Sequence, residues 1–261
     1  MSVSIVVMGA NGRMGATIAR MAQDSDKFEL AAVVERAGHE ERLDYWGCEV
    51  SNDLDAVLGK LDNTKTVVID FTIPAASLVN AKIAAQHTTP IVMGTTGFTN
   101  EERAQLEELA KTSPMFWAPN TSVGVYALTQ ILPELIKILG EDYDLEMVEL
   151  HHNKKKDSPS GTAMRLAECL AEAKKWDLDA VANYHREGMI GERPKEEIGI
   201  QTIRGGDVVG VHTVYAMGPG ERIEVTHHAH SRETFASGAL RAALWLAGRE
   251  AGKLYSMSDI I

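Results

Sequence analysis

The feature that most limits what this chain can fold into is the alternation of short apolar runs with helical segments across its first 120 residues. Continuous β-branched and apolar runs stand at Ser4–Met8, Phe28–Val34, Val67–Asp70, Ile91–Met93 and Met115–Ala118. Between them lie amphipathic segments at Arg13–Gln23, Ala75–Gln86 and Asn100–Lys111. A strand that is apolar at every position must be covered on both faces, and helical connections supply that cover. The pattern therefore predicts a doubly wound parallel sheet.

The pattern changes after Asn120. A helix over about Val123–Leu139 leads to a strand over Asp142–His152, and a second helix is expected over about Thr162–Trp176. Three longer strands follow with no helix between them: Ile198–Arg204, Val208–Met217 and Arg222–His230. The turns RGGD and GPGE that join them predict antiparallel hairpins. A last helix, Arg232–Gly248, offers Phe235, Leu240, Ala243, Leu244 and Ala247 as its apolar face. The expected fold class is α/β, a Rossmann-like doubly wound sheet plus an inserted α+β domain with a mixed or antiparallel sheet. The boundaries fall at 1–122, with 232–261 packing back on that domain, and at 123–231.

Charge removes two classes of partner. With 26 basic and 37 acidic residues the net charge is -11, which argues against nucleic acid and anionic membrane surfaces. No apolar run approaches the roughly 20 residues of a membrane helix, and the N-terminus lacks the basic stretch of a signal peptide. Cys48 and Cys169 form neither a metal-like pair nor a disulfide framework, which fits a reducing compartment. A soluble, cytoplasmic protein is expected.

GANGRMG, Gly9 to Gly15, follows the first strand directly and opens the first helix. Glycines there serve a tight turn, close backbone approach and helix–strand packing, while the helix amides attract a pyrophosphate. The G-x-x-G-x-x-G spacing also suits a plain glycine-rich turn, so the second strand matters. Its end, AAVVERAG, places Glu35 to accept from the adenosine ribose hydroxyls and Arg36 to neutralise a 2′-phosphate. Glu35 favours NADH and Arg36 favours NADPH. MGTTGF (93–98) and WAPNTSVGV (117–125) follow later strands, at the carboxyl ends where such sheets bind ligands.

The stretch ELHHNKKKDSPSGTA, residues 149–163, concentrates protonatable charge in an acidic chain. Neighbours on a strand point to opposite faces, so His151 and His152 share a face only if the strand ends there. Lys155 lies in the loop beyond, and Ser160, Gly161 and Thr162 form a helix start whose amides suit a carboxylate. Together they make an anion pocket with at least one group that titrates near neutrality. Lys154 and Lys156 read as solvated surface. Zinc is the lesser reading of the paired histidines and of HHAH (227–230), because no acidic or cysteine partner stands at ligand spacing; no metal is expected.

These stretches, with DFTIP, YHREGMIGER, IRGGDVVGVHTV and SRETFASGALRAALWL, resemble the 4-hydroxy-tetrahydrodipicolinate (dihydrodipicolinate) reductases of bacterial and plant lysine biosynthesis over nearly the whole chain. The resemblance implies NAD(P)H-dependent reduction of a cyclic imine dicarboxylate. His151 would be the acid/base residue and Lys155 the second catalytic residue. His152, Ser160, Gly161 and Thr162 would bind substrate. Gly9, Ala10, Asn11, Gly12, Arg13, Met14, Glu35, Arg36, Gly94, Thr95, Thr96, Ala118, Pro119, Asn120 and Thr121 would hold NADH or NADPH. It further implies that 1–122 binds the dinucleotide, that 123–231 binds substrate and builds a homotetramer, and that a hinge closes on both ligands. Three positions depart from the family pattern: Ser158 replaces a usual alanine, Thr121 a common aromatic, and Ile73 an arginine found in some relatives.

Two other readings differ in class. A non-catalytic dinucleotide sensor would bind cofactor without turnover and gives no reason for His151, Lys155 and the helix start to occur together. A related dehydrogenase acting on another dicarboxylate shares every motif above. A short-chain dehydrogenase is excluded by the lack of a tyrosine followed four residues later by lysine.

Overall fold

A computed structural model describes residues 2–261. In chain order the elements are β1 (Val3–Met8), α1 (Arg13–Gln23), β2 (Phe28–Val34), β3 (Glu49–Ser51), α2 (Leu54–Leu58), β4 (Thr66–Asp70), α3 (Pro74–Gln86), β5 (Ile91–Met93), α4 (Asn100–Leu109) and β6 (Met115–Trp117). There follow α5 (Val123–Leu139), β7 (Asp144–His151), α6 (Gly161–Lys174), α7 (Leu178–Val181), β8 (Ala182–Asn183), β9 (Ile198–Arg204), β10 (Gly210–Gly218), β11 (Glu221–Ala229), α8 (Glu233–Leu246), β12 (Leu254–Tyr255) and α9 (Met257–Ile260). The chain divides into two compact units. One runs through Ser122 and resumes over Arg232–Ile261; the other is Val123–Ser231.

The first unit is a seven-stranded sheet in the order β12-β6-β5-β4-β1-β2-β3, and every pairing in it is parallel. All five residues of β4 are buried, as continuous apolarity requires. Order reverses between β1 and β4, so the glycine loop after β1 opens at the switch point where such sheets take ligands. Pro74 sits at the first turn of α3, where its missing N–H costs nothing, and a Thr99–Glu102 capping box starts α4. The strands β3 and β12 and the helices α2 and α9 escape the sequence pattern because each is too short to complete a period.

The second unit is a five-stranded mixed sheet, order β11-β10-β7-β9-β8. β7 runs antiparallel to β10 and parallel to β9. GPGE does close a hairpin between β10 and β11, but RGGD does not join neighbours, which corrects the expectation of a second hairpin. β7 lies between β9 and β10, and the RGGD segment wraps its end through Gly205 N–H to the His151 carbonyl and Asn153 N–H to the Gly206 carbonyl. One face of this sheet packs Leu145, Met147, Ile198, Ile200, Val214 and Ala216 against Leu128, Leu132 and Ile136 of α5 and Leu166 and Leu170 of α6. The alternation along β7, with Leu145 and Met147 inward, turns Val148 and Leu150 to the other face.

That outer face carries the YHREGMIGER segment. Arg186 pairs with Glu146 at 2.7 Å and Glu197 at 2.5 Å, and Arg193 with Glu146 at 3.0 Å and Asp144 at 2.9 Å. A Cβ at Gly199 would stand 1.8 Å from the Glu146 carboxylate, so any side chain there would displace these ion-pairing side chains.

Two further expectations are corrected. Leu244 lies 41% exposed, and α8 instead buries Ala236, Ala239, Leu240, Ala243 and Leu246. α5 with its following 3-10 turn, Val123–Asp142, is 20 residues long and apolar enough in composition to cross a membrane. Its Leu128, Leu132 and Ile136 bury against the sheet, while Ile131 and Ile138 are exposed.

Candidate active site

The inner face of the second sheet changes character along its strands. Leu145 and Met147 are followed on the same face of β7 by Glu149 and His151. The register sets Thr202 and Arg204 of β9 beside Glu149 and His151, and His212 of β10 beside Glu149. One end of an apolar face thus becomes a cluster of five polar side chains.

Glu149 is completely buried and all of its partners are ordered by strands or by a helix start. Arg204 clasps it with two hydrogen bonds of 2.8 Å. The Ser160 amide donates to Oε1 at 2.9 Å, Thr202 Oγ1 to Oε1 at 3.3 Å, and His151 Nδ1 approaches Oε2 at 2.6 Å. Burial pushes the Glu149 carboxyl up, but the hydrogen bonds from His151, Arg204 and the Ser160 amide outweigh it and hold the group well below the ordinary carboxylate range. An ionised carboxylate only accepts, so Nδ1 of His151 is the donor. Nε2 is left for other chemistry, and it faces a glycine: a Cβ on Gly210 would stand 3.0 Å from it.

His212 closes the cluster behind His151, with ring centroids 5.1 Å apart at 72°. Its Nε2 lies 3.0 Å from Ser160 Oγ, which also caps α6 by accepting from the Ala163 amide at 3.1 Å. Burial, reinforced by neighbouring His151, pushes the His212 imidazole down to about 3. His212 is thus a neutral packing partner.

The loop after β7 supplies the rest. His152 is half-buried, donates its amide to the Val208 carbonyl, and accepts from the Lys154 amide through Nδ1. Lys154 and Lys156 are exposed; Lys155 is half-buried and pairs with Asp157 at 2.9 Å. Burial pushes the Asp157 carboxyl up, but the hydrogen bond and charge of Lys155, with its own backbone amide and the Arg204 charge, together hold it below the ordinary value. Gly161 begins α6 at the surface with nothing within 4 Å of where a Cβ would stand, and Thr162 follows half-buried. Ser160 differs from its expected place. It is buried, with its hydroxyl committed to the cap and to His212, so it shapes the pocket from behind.

In the first unit the glycine loop is a backbone cradle. Gly9 takes φ 67°, a left-handed conformation, and a Cβ on Gly15 would stand 2.2 Å from the Gly9 carbonyl oxygen. The Asn11 amide donates to Glu35 Oε2 at 3.1 Å and the Arg36 amide to Oε1 at 3.1 Å, which ties the loop to the end of β2. Asn11, Gly12, Arg13 and Arg36 are exposed, whereas Ala10 is buried and Met14 half-buried. Gly94 packs under the Phe71 ring, and Thr95 is buried with its carbonyl accepting from Trp117 Nε1 at 3.0 Å; Thr96 is exposed. In the neighbouring loop Ala118 is buried, Pro119 exposed, and the Asn120 side chain accepts from the Ser122 amide at 2.9 Å. Thr121 is buried and spends its hydroxyl on the Phe235 carbonyl at 2.7 Å, so only its backbone can serve a ligand. Burial and the nearby Arg13 guanidinium push the Arg232 guanidinium down, which marks two cations close together in the glycine-loop unit. A cradle that a Cβ would fill, an acidic strand end and paired guanidiniums fit a dinucleotide.

Sequence reasoning missed Glu149, Arg204, Gly210, His212 and Arg232. Glu149 had a signal: in DLEMVELH it occupies the same face as Leu145, Met147 and His151, and a carboxylate at a core position needs a partner.

Comparison with known proteins matches nearly the whole chain to one family. A family model described as dihydrodipicolinate reductase, N-terminus, matches residues 3–121, and one described as dihydrodipicolinate reductase, C-terminus, matches residues 124–261. The chain is 66% identical over 261 residues, all of both chains, to a 4-hydroxy-tetrahydrodipicolinate reductase of Oleidesulfovibrio alaskensis. It is 64% identical over the same span to one of Nitratidesulfovibrio vulgaris. A dipicolinate-bound dihydrodipicolinate reductase from Paenisporosarcina shares the fold with a TM-score of 0.75 at 23% identity over 100% of both chains. A probable dehydrogenase from Thermotoga maritima follows at a TM-score of 0.61 and 11% identity, covering 97% of this chain and 91% of that one.

Proposed function

The chain belongs to the dihydrodipicolinate reductase family, and from that premise we propose how its own residues carry the reaction. It is an NAD(P)H-dependent oxidoreductase that reduces 4-hydroxy-tetrahydrodipicolinate to tetrahydrodipicolinate, in diaminopimelate and lysine biosynthesis. When bound, the reduced nicotinamide supplies a hydride to a ring carbon conjugated with the substrate imine. The remaining work falls to side chains and backbone of the protein.

In the first unit, the backbone of Gly9, Ala10, Asn11, Gly12, Arg13 and Met14 receives the pyrophosphate. Glu35 accepts from the adenosine ribose, and Arg36 stands ready for a 2′-phosphate. The backbone of Gly94–Thr96 and Ala118–Thr121 lines the nicotinamide end. Glu35 and Arg36 together support acceptance of both NADH and NADPH.

In the second unit, the α6 start at Gly161 and Thr162 takes one substrate carboxylate, and His152 and Lys155 take charge and position at the other. Lys155 leaves Asp157 to do so. The 4-hydroxyl leaves as water with a proton from the adjacent ring carbon, giving the C=C bond conjugated with the imine. Hydride addition to that bond leaves an aza-enolate; its carbon takes a proton from Nε2 of the His151 imidazolium, and the electron pair on nitrogen restores the C=N bond. His151 returns to neutral imidazole and takes its next proton from solvent. One observation carries this reading: a buried, carboxylate-anchored histidine opens beside a lysine and a helix start.

The outer face of the second sheet, with Val148, Leu150, Val211, Tyr215 and Ile203 on one side of the strands, supports assembly into a homotetramer through that face. Light scattering on the purified protein tests it: a monomer at micromolar concentration removes the assembly. The acidic composition and two free cysteines support a cytoplasmic location.

The activity is tested with substrate generated in place from pyruvate and aspartate semialdehyde by the upstream synthase, with NADH and NADPH in separate runs. Rapid oxidation is expected, reduced about 100-fold or more in His151→Ala and Lys155→Ala. Tight cofactor binding with no oxidation by the unaltered chain moves it to a sensing role or to another dicarboxylate.

A further inference from the structure

Position 149 is filled by the wrong kind of residue for a core. Leu145 and Met147 precede it on the same face of β7, and a buried ion pair stabilises no better than apolar side chains of the same volume. A carboxylate held there calls for a reason beyond packing. Its five contacts come from three separately anchored places: β9 through Arg204 and Thr202, the α6 start through the Ser160 amide, and β7 itself through His151. Four of the five fix the carboxylate, and the fifth is the one it imposes on His151.

We propose that Glu149, locked by Arg204, is the positioning residue of the reaction, fixing His151 with its Nδ1 proton pointed into the protein and Nε2 turned to the substrate. This rests on the reading of His151 as the proton donor. Gly210 completes the arrangement, since any side chain there would stand against Nε2. Glu149 accepts the Nδ1 proton in both charge states of the ring and so fixes its orientation, as a carboxylate does for other functional histidines. Arg204 already balances Glu149, and Lys155 balances Asp157. A second proton on His151 therefore leaves the cluster, with His212 neutral, one charge positive. A dianionic substrate compensates that charge, so loading the acid and binding the substrate favour each other.

The experiment joins a spectroscopic measurement to kinetics. Imidazole ¹⁵N signals of the intact protein, with His151 assigned by its loss in His151→Asn, are expected to show the neutral ring protonated on Nδ1. In Glu149→Gln, Arg204 retains the amide oxygen and the NH₂ group faces Nδ1, so the proton is expected to move to Nε2. The kcat of Glu149→Gln should fall about 100-fold, with the substrate KM changed less than a few-fold, cofactor affinity kept, and a larger solvent deuterium isotope effect on kcat. A merely structural role would not move the tautomer or the isotope effect. Should Glu149→Gln fail to fold, Glu149→Gln combined with Arg204→Met removes both charges and is expected to fold with the same loss of kcat. A ring protonated on Nε2 in the unaltered protein, or kcat retained in either folded variant, overturns the proposal. The ¹⁵N measurement needs no substrate, so an unaltered protein that shows the Nδ1 proton yet oxidises no cofactor tells against the assigned reaction and not against the anchoring of His151.

Discussion

The glycine loop of the first unit and the histidine pocket of the second are both proposed as anion sites, but they are made of different materials. The loop is backbone: Gly9, Gly12 and Gly15 leave room, and the amides at the start of α1 do the attracting. The pocket is side chain: Glu149, Arg204, Thr202, His212 and Ser160 hold one another so that His151 presents a single nitrogen. A backbone site fails when atoms are added to it. A wired site fails when a charge is taken from it.

That contrast orders the expected effects of substitution. The largest belongs to Arg204→Met, which leaves the Glu149 carboxylate buried without its counter-ion and should lower stability by about 3–5 kcal/mol in urea unfolding. Because folding depresses the Glu149 carboxyl, its contribution is complete above the ordinary carboxyl value of about 4.3 and fades as pH falls below it. The stability gap between Arg204→Met and the unaltered protein should therefore narrow in acid. A gap that stays constant down to pH 3 would detach Glu149 from it.

Gly15→Ala comes next. The added methyl would stand 2.2 Å from a backbone oxygen, so the loop must shift, at about 1–3 kcal/mol and with a cofactor dissociation constant raised tenfold or more by titration calorimetry. Normal cofactor affinity in that variant would break the comparison at its first term.

His212 gives the third effect. Its folded value of about 3 lies below the unfolded one, so the unfolded chain binds a proton that the folded protein refuses. Stability should fall by about 2 kcal/mol between pH 7 and pH 5 on this account, and His212→Gln should remove that slope. The smallest effect is expected of Gly161→Ala, whose methyl meets open space. Stability should change by less than about 0.5 kcal/mol, while substrate KM rises a few-fold at unchanged kcat.

The same contrast explains what was legible in the sequence. Backbone sites announce themselves by spacing, so GANGRMG, Glu35 and the loops after β5 and β6 could be placed from residue order alone. Strand–helix alternation likewise located β2, α1, β5, α5 and β9 to the residue. A wired site is assembled by register, and register is a long-range property. Arg204 reaches Glu149 because β9 lies parallel to β7, a pairing hidden by the RGGD turn, which reads locally as a hairpin. Ser160 reads as a ligand residue in SPSGTA, yet its hydroxyl is claimed by His212 from another strand. Leu244 fits the helical period but lies on the side of α8 that the sheet does not cover.

The division of labour between the two sites is tested most directly on one variant by two readings. His151→Gln, prepared beside the unaltered protein, is assayed for binding of reduced cofactor and for its oxidation with substrate generated in place. Cofactor affinity is expected to stay within about twofold of the unaltered protein, with turnover reduced about 100-fold or more. Turnover retained in His151→Gln, or cofactor affinity lost together with it, would contradict an account that gives the nucleotide to the backbone cradle and the proton to the histidine pocket.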